Sequence, residues 1–364
     1  AHHVQGIFSQ GSGDTYGEMA ELKSYLIAKL MSNSELNEVE LMEDFCKGYY
    51  KSAGRYVMDY INLLQTESRK TNRQIDIYGN PVNEYNSYLT PELLDQFSTL
   101  FDNAEAVVED NEKIINRIYR LRLSLDYVSL QQARFFGPDK HGYLVQDEET
   151  LNYLVKGNMP KRVTKFTESL ERYKVTELSE GGLNPEQYKA EWQQLFDRGW
   201  KPNYAMDAKV TVKYPFVQDY PAKRERTLVD GMIGLNDYSY NWLCFYGNDI
   251  DVTIDMETTK EVSHISMNFL DDPRHWIFLP HEIEITVSAD GYKYHTAIAE
   301  PTNYNLATAL DEHYDAKPVN FNFKLFPQRV RYVHVKVKNQ SIIPNWRYRP
   351  NKKPMLAIDE IYVN

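Results

Sequence analysis

The sequence predicts two regions of opposite class, a helical bundle followed by an antiparallel β-sandwich, and three observations carry that reading. The chain has 364 residues, more than a single hydrophobic core usually serves. Apolar residues recur at the helical period as far as Trp200 and at a period of two beyond it. Eight strand-like runs then fall within residues 207–364, which suits a sandwich or jelly roll.

The helical elements follow from spacing and caps. Leu22, Tyr25, Leu26 and Leu30 form one apolar stripe, and Leu41, Phe45, Tyr49, Val57, Tyr60, Ile61 and Leu64 form a second, with Asn33 and Ser34 between them. The polar stretch 68–88 contains Gly79-Asn80 before Pro81 and reads as a loop. Thr90-Pro91-Glu92 opens a helix bearing Leu94, Phe97, Phe101, Ala104 and Val108, with threonine as cap and proline in the first turn. Ile114, Ile118, Leu121, Leu125 and Val128 mark a long helix that stops at Gly137-Pro138. Shorter helices are expected at 147–156, 160–174 and 184–197. The bundle therefore spans residues 17–200, preceded at 1–16 by a strand-like segment and loop.

Strands are expected at 209–214, 249–256, 261–270, 281–288, 292–297, 318–325, 330–338 and 356–363. Ile283, Ile285 and Val287 alternate with polar residues, as do Val333, Val335 and Val337. Each of these strands should bury one face.

Charge and composition narrow the function. The net charge is -11, with 22 basic against 31 acidic side chains in residues 1–200 and 19 against 21 in the rest. Such a surface repels phosphate backbones, so nucleic acid is not an expected partner, and acidic polysaccharides are disfavoured except at local patches. No run approaches the roughly 20 apolar residues that span a bilayer, so no membrane insertion is expected. Cys46 and Cys244 fall in different regions and no disulfide is expected. The 28 tyrosines and 5 tryptophans supply flat amphipathic rings of the kind that stack on sugars, although most aromatics serve a core.

Several motifs fail on inspection. Gly11, Gly13 and Gly17 follow a strand-like segment, but a dinucleotide fingerprint needs its third glycine where Tyr16 stands. His281-Glu282 lacks the second histidine of a zinc protease, Ile285 occupying its place. Asp14 and Glu18 are the candidates for a carboxylate pair acting on a glycosidic bond. Their competing reading is as charges on the first turn of a helix.

The second half carries the more specific signal. Leu228-Val229-Asp230-Gly231, Asn241-Trp242, the Asp249–Met256 strand, Pro280, Ser288-Ala289-Asp290-Gly291 and Ile358-Asp359-Glu360-Ile361 occur in this order. The pattern resembles the discoidin, or coagulation-factor type C, domain over residues 207–364, departing from it at Met256-Glu257, where that family has Leu-Gly. Phe269-Leu270 and Trp276-Ile277-Phe278-Leu279-Pro280 resemble the subgroup appended to bacterial hexosaminidases and related glycosidases. The resemblance implies a galactose-binding-like jelly roll with its ligand site in loops at one end. It also implies a structural calcium held by backbone carbonyls and the carboxylates of Asp230 and Glu360, residues equally readable as a turn former and an edge-strand polar group. For sugar contact the loop candidates are Tyr238, Tyr240, Trp242, Arg274 and Trp276, with a core role as the alternative for Trp242 in particular.

The first half also shows a resemblance. Gly6–Gln10, Glu18, Glu21-Leu22-Lys23, Tyr25–Leu30, Met42, Phe45 and Gly48-Tyr49-Tyr50 are similar to the end of the glycosidase-like barrel, and the helices beyond it, of an uncharacterised bacterial family related to α-glucuronidases. Met31-Ser32 and Lys51-Ser52 depart from that family's Trp, Asn and Gly-Pro. The two resemblances together imply the non-catalytic helical and sugar-binding portion of a glycan-degrading protein that is periplasmic, surface-bound or secreted. Its expected partners are a neutral or amino-sugar glycan, bound weakly, and a barrel domain upstream in the same polypeptide. A glycoside hydrolase in its own right and a structural or protein-binding sandwich are the alternatives.

Overall fold

The computed structural model describes residues 6, 16–72, 74, 79–150, 152–179, 182–301 and 315–364. They divide into two compact units, residues 1–145 with 155–198, and residues 146–154 with 199–364.

The first unit is helical. Its helices are α1 (Ala20–Ser32), α2 (Glu38–Tyr50), α3 (Gly54–Lys70), α4 (Pro91–Ala106), α5 (Glu112–Phe136), α6 (Met159–Arg172) and α7 (Pro185–Arg198). Local chemistry sets their starts. Asn37 accepts from the N–H groups of Val39 and Glu40, and Thr90 from that of Leu93. Asn184 and Gln187 cap each other reciprocally, at 3.0 and 2.8 Å. The second apolar stripe is divided between α2 and α3 by a turn at Lys51–Ala53. There Gly54 packs so closely on α2 that a Cβ would lie 2.5 Å from the Cys46 carbonyl oxygen. The core gathers Leu22, Cys46, Tyr50, Val57, Ile61, Phe97, Phe101, Ile118 and Leu121. On α5, Arg122 reaches Asp102 at 2.6 Å and Glu105 at 2.8 Å on α4.

The expectation of a helix over 147–156 is corrected. Two short strands, β1 (Leu144–Gln146) and β2 (Tyr153–Val155), flank a turn in which Asp147 accepts from both the N–H and the hydroxyl of Thr150.

The second unit is an antiparallel β-sandwich, so the fold class is a helical region followed by a sandwich. Its strands are β3 (Lys209–Val212), β4 (Leu243–Tyr246), β5 (Ile250–Asp271), β6 (Glu282–Ser288), β7 (His295–Pro301), β8 (Lys317–Lys338) and β9 (Met355–Val363). The hydrogen-bonded order is β4-β9-β5-β8-β6-β7, with β3 added to β5. Two pairs of expected strands fuse here, because β5 and β8 each run for 22 residues. A register shift between Asp255 and Lys260 lets the first half of β5 pair with β3 and the second with β9. The inward residues anticipated on β6 and β8 are all buried, and they pack with Val252, Ile254, Ile265, Phe269, Leu356 and Ile358.

The sandwich contains carboxylates held below their ordinary range. A two-pronged contact from Arg331 (2.7 and 2.9 Å) lowers Asp255, and the backbone N–H groups of Lys293 and Tyr292 lower Asp290. Each contributes stability that is complete above the unfolded value of about 3.9 and is lost as the pH falls through the lower folded value. The melting temperature of the sandwich is therefore expected to fall as the pH is taken from 6 towards 3. Asp255→Asn should flatten that fall, and an equally steep fall in the variant would remove Asp255 from the account.

Candidate functional site

The loop cluster that gathers most of the predicted contacts is built on a tight turn after β5. Asp272 and Ile277 exchange backbone hydrogen bonds, both 3.1 Å, which pinches residues 272–277 into a closed loop. Pro273–His275 form one 3-10 turn, and Trp276 adopts a left-handed conformation at φ 61° to leave it. This geometry returns the His275 ring to Asp272, with Nδ1 2.6 Å from Oδ2. Asp272 is buried, and its other carboxylate oxygen has no hydrogen-bond partner among the described residues.

The long connection between β3 and β4 brings two tyrosines to the same place. The Tyr238 ring lies 4.7 Å from His275, and Tyr220 meets Tyr238 edge-on at 5.0 Å. Burial, and after it the neighbouring Tyr220, pushes the Tyr238 phenol well up, so it stays a neutral donor and acceptor.

Trp276 is held by the connection between β8 and β9. Its Nε1 donates to the Arg347 carbonyl at 3.3 Å, and the Arg347 guanidinium and Lys352 ammonium lie 4.5 and 4.7 Å from its ring centre. Arg347 also donates to the carbonyls of Pro273 and Arg274. Arg274 itself is exposed.

Of the five predicted sugar contacts, Tyr238, Arg274 and Trp276 share this cluster. Trp242 and Tyr240 do not fit the role, being 0% and 6% exposed. Trp242 donates to the Leu235 carbonyl at 2.9 Å and packs with Cys244, Leu270, Ile277 and Met355. Sequence reading missed Tyr220, Asp272, His275 and Arg347. The signal available was the Asp-Pro-Arg-His spacing, which returns a histidine to an aspartate three residues earlier.

The predicted metal residues lie elsewhere in the sandwich. Asp230 ends the 3-10 turn Arg224–Val229, and Gly231 follows at φ 77°, donating its N–H to Glu360 Oε2 at 2.9 Å. Glu360 Oε1 accepts from Asn203 Nδ2 at 2.6 Å, and Asp230 Oδ1 from the Met232 N–H at 2.9 Å. Lys223 Nζ lies 2.6 Å from Asp230 Oδ2. Burial, and after it the charge of Asp230, pushes the Glu360 carboxyl well above the usual carboxylate range. Burial raises Asp230 too, against the pull of Lys223. Calcium takes six to eight oxygen ligands at roughly 2.3–2.6 Å. All four oxygens here already accept from nitrogen donors, so this donor set does not fit the ion.

Of the carboxylates weighed for glycosidic chemistry, Asp14 lies outside the described residues. Glu18 accepts from Tyr60 OH at 2.5 Å. Cys46 and Cys244 are buried free thiols, each pushed up to about 12 by burial. Among the described residues no helix is long and apolar enough to cross a membrane.

Residues 1–62 match the family model described as domain of unknown function (DUF4838). No curated protein matches the chain. Among solved structures, the chain is similar to CBM32-1 from a family 31 glycoside hydrolase of Clostridium perfringens, at 17% identity and a TM-score of 0.28, covering 45% of this chain and 99% of that one. It is also similar to a Streptococcus pneumoniae fucose binding module, at 13% identity and a TM-score of 0.30, covering 45% and 98%. A third is chitosan-binding module 1 of a chitosanase/glucanase from Paenibacillus sp. IK-5, at 12% identity and a TM-score of 0.30, covering 45% and 99%.

Proposed function

We propose that the sandwich binds a glycan through the loop cluster around His275, and that the chain is the non-catalytic helical and sugar-binding portion of a secreted bacterial glycan-degrading protein. The observation that carries this is the grouping of the Tyr220, Tyr238 and His275 rings, with the imidazole oriented by buried Asp272. Asp272 holds one imidazole nitrogen, which leaves the other to bond a sugar hydroxyl. The tyrosine rings supply an apolar face, and their hydroxyls supply polar tips. A neutral or amino sugar suits these groups. Binding is weak, because a shallow site on loops desolvates few side chains.

A second reading, a sugar bearing a carboxylate or sulfate, is favoured by one observation. Arg274, Arg349, Lys352 and Lys353 are exposed, and none makes an ion pair among the described residues. Lys352 reaches the Trp276 ring, two residues from Arg274, so positive charge lies at the cluster on an otherwise acidic chain.

A glycan array followed by calorimetry on the full chain tests both readings. Millimolar-range binding is expected, with Tyr238→Ala and His275→Ala each weakening it about tenfold or more. Arg274→Ala should weaken only an acidic ligand. A wild-type chain that binds no glycan at millimolar concentration would leave the sandwich a structural or protein-binding one.

A further inference from the structure

We propose that the ammonium group of Lys223 is the resident cation of the Asp230–Glu360 cluster, standing where the discoidin-like resemblance implies calcium, so that this sandwich folds without a divalent ion.

The Lys223 side chain is 8% exposed and Asp230 1%, and their charged atoms are 2.6 Å apart. Glu360 and Asp359 are buried beside them on β9. Carboxylates withdrawn from water need a compensating charge close by, and a buried lysine is equally costly without its counter-charge. The backbone delivers this one from nearby in sequence. The Lys223 N–H donates to Thr227 Oγ1 at 2.9 Å, and the 3-10 turn Arg224–Val229 then returns the chain so that Asp230 lies within reach of the same residue's ammonium.

The other donors are also arranged for an ammonium cluster rather than a metal. Met232 N–H, Gly231 N–H and Asn203 Nδ2 direct hydrogens at three of the four carboxylate oxygens, and Lys223 takes the fourth. A calcium ion would have to displace these donors from several oxygens at once. It would also stand in contact with a like charge. Both oxygens of the nearby Asp359 are also engaged, Oδ2 accepting from Gly234 N–H at 3.0 Å and Asn268 Nδ2 at 2.9 Å, and Oδ1 from the Glu360 N–H at 2.5 Å.

Thermal unfolding of the full chain, followed by tryptophan fluorescence, tests the assignment. Trp200, Trp242, Trp276 and Trp346 all lie in the sandwich unit, so the signal reports mainly on it. The wild-type transition is expected to keep the same midpoint in millimolar calcium and in excess chelator, since an ion that binds only the folded state would raise it. Lys223→Met, which keeps the stem and removes the charge, is expected to lower the midpoint by roughly 10 °C, or to abolish the transition. A wild-type midpoint that rises with calcium or falls with chelator would overturn the proposal. So would a Lys223→Met chain that melts like the wild type. If the variant does not fold, the wild-type arm alone still decides.

Discussion

Replacing Glu191 by alanine is expected to destabilise the helical unit by about 3–5 kcal/mol, the usual effect of removing one partner from a buried ion pair. Arg134 on α5 meets Glu191 on α7 at 3.0 Å, and both side chains are only 7% exposed. The guanidinium also donates to Gln131 Oε1, which accepts from Tyr188 OH at 3.0 Å, and it lies about 6 Å from the Tyr188 and Trp192 rings. Without Glu191 that buried charge loses its ion-pair partner and keeps its positive form, because an arginine does not deprotonate in a protein. Replacing both residues by apolar ones of similar volume should recover most of the loss, since the pair's net contribution is far smaller than the cost of breaking it. Denaturant titration followed by helical circular dichroism measures both variants. A Glu191→Ala loss within about 1 kcal/mol, the scale of an exposed pair, would mean that the pair is solvated.

Trp242→Ala is expected to cost the sandwich about 3–5 kcal/mol, as large aromatic deletions from a closed core do. The ring has no exposed surface and its N–H satisfies the Leu235 carbonyl, so the deletion leaves both a cavity and an unpaired acceptor. Gly234→Ala should be damaging for the converse reason, because a Cβ there would lie 2.0 Å from the Trp242 ring. Denaturation of the full chain followed by fluorescence of the other tryptophans gives the size of the loss. A Trp242→Ala chain of near wild-type stability that had lost glycan binding would return Trp242 to the list of sugar contacts.

The contrast between Trp242 and Tyr238 shows where the sequence stops being readable. Both sit among turn-forming residues in one connection, and only the path of the chain over β4, β9 and β5 buries the first and leaves the second half-exposed. The large helices were legible because caps and apolar stripes agree within a few turns. The helix expected at 147–156 is instead a turn between two short strands. An aspartate accepting from Thr150 is an Asx turn here, and that local arrangement is also the first turn of a helix. Strand β4 escaped because Leu243, Cys244 and Phe245 are buried on both faces, so no alternation marks it. His275 escaped because the loop that returns it to Asp272 is anchored at its base by Met355, distant in sequence, whose backbone bonds to Trp276 and Phe278. Lys223 gave no signal either, since a single lysine before a turn is ordinary on a surface.

The position of β9 bears on how the molecule is made. This strand lies between β4 and β5 and pairs Leu243 with Ile358, so the sandwich closes only across nearly its whole sequence. The helical unit depends largely on neighbours such as α2 with α3 and α4 with α5, contacts of the low sequence separation that favours rapid folding. During synthesis the helices can form while the sandwich is still being translated. Until residues 355–363 leave the ribosome, β4 and the second half of β5 present unpaired edges, the kind of surface on which incomplete β-domains aggregate.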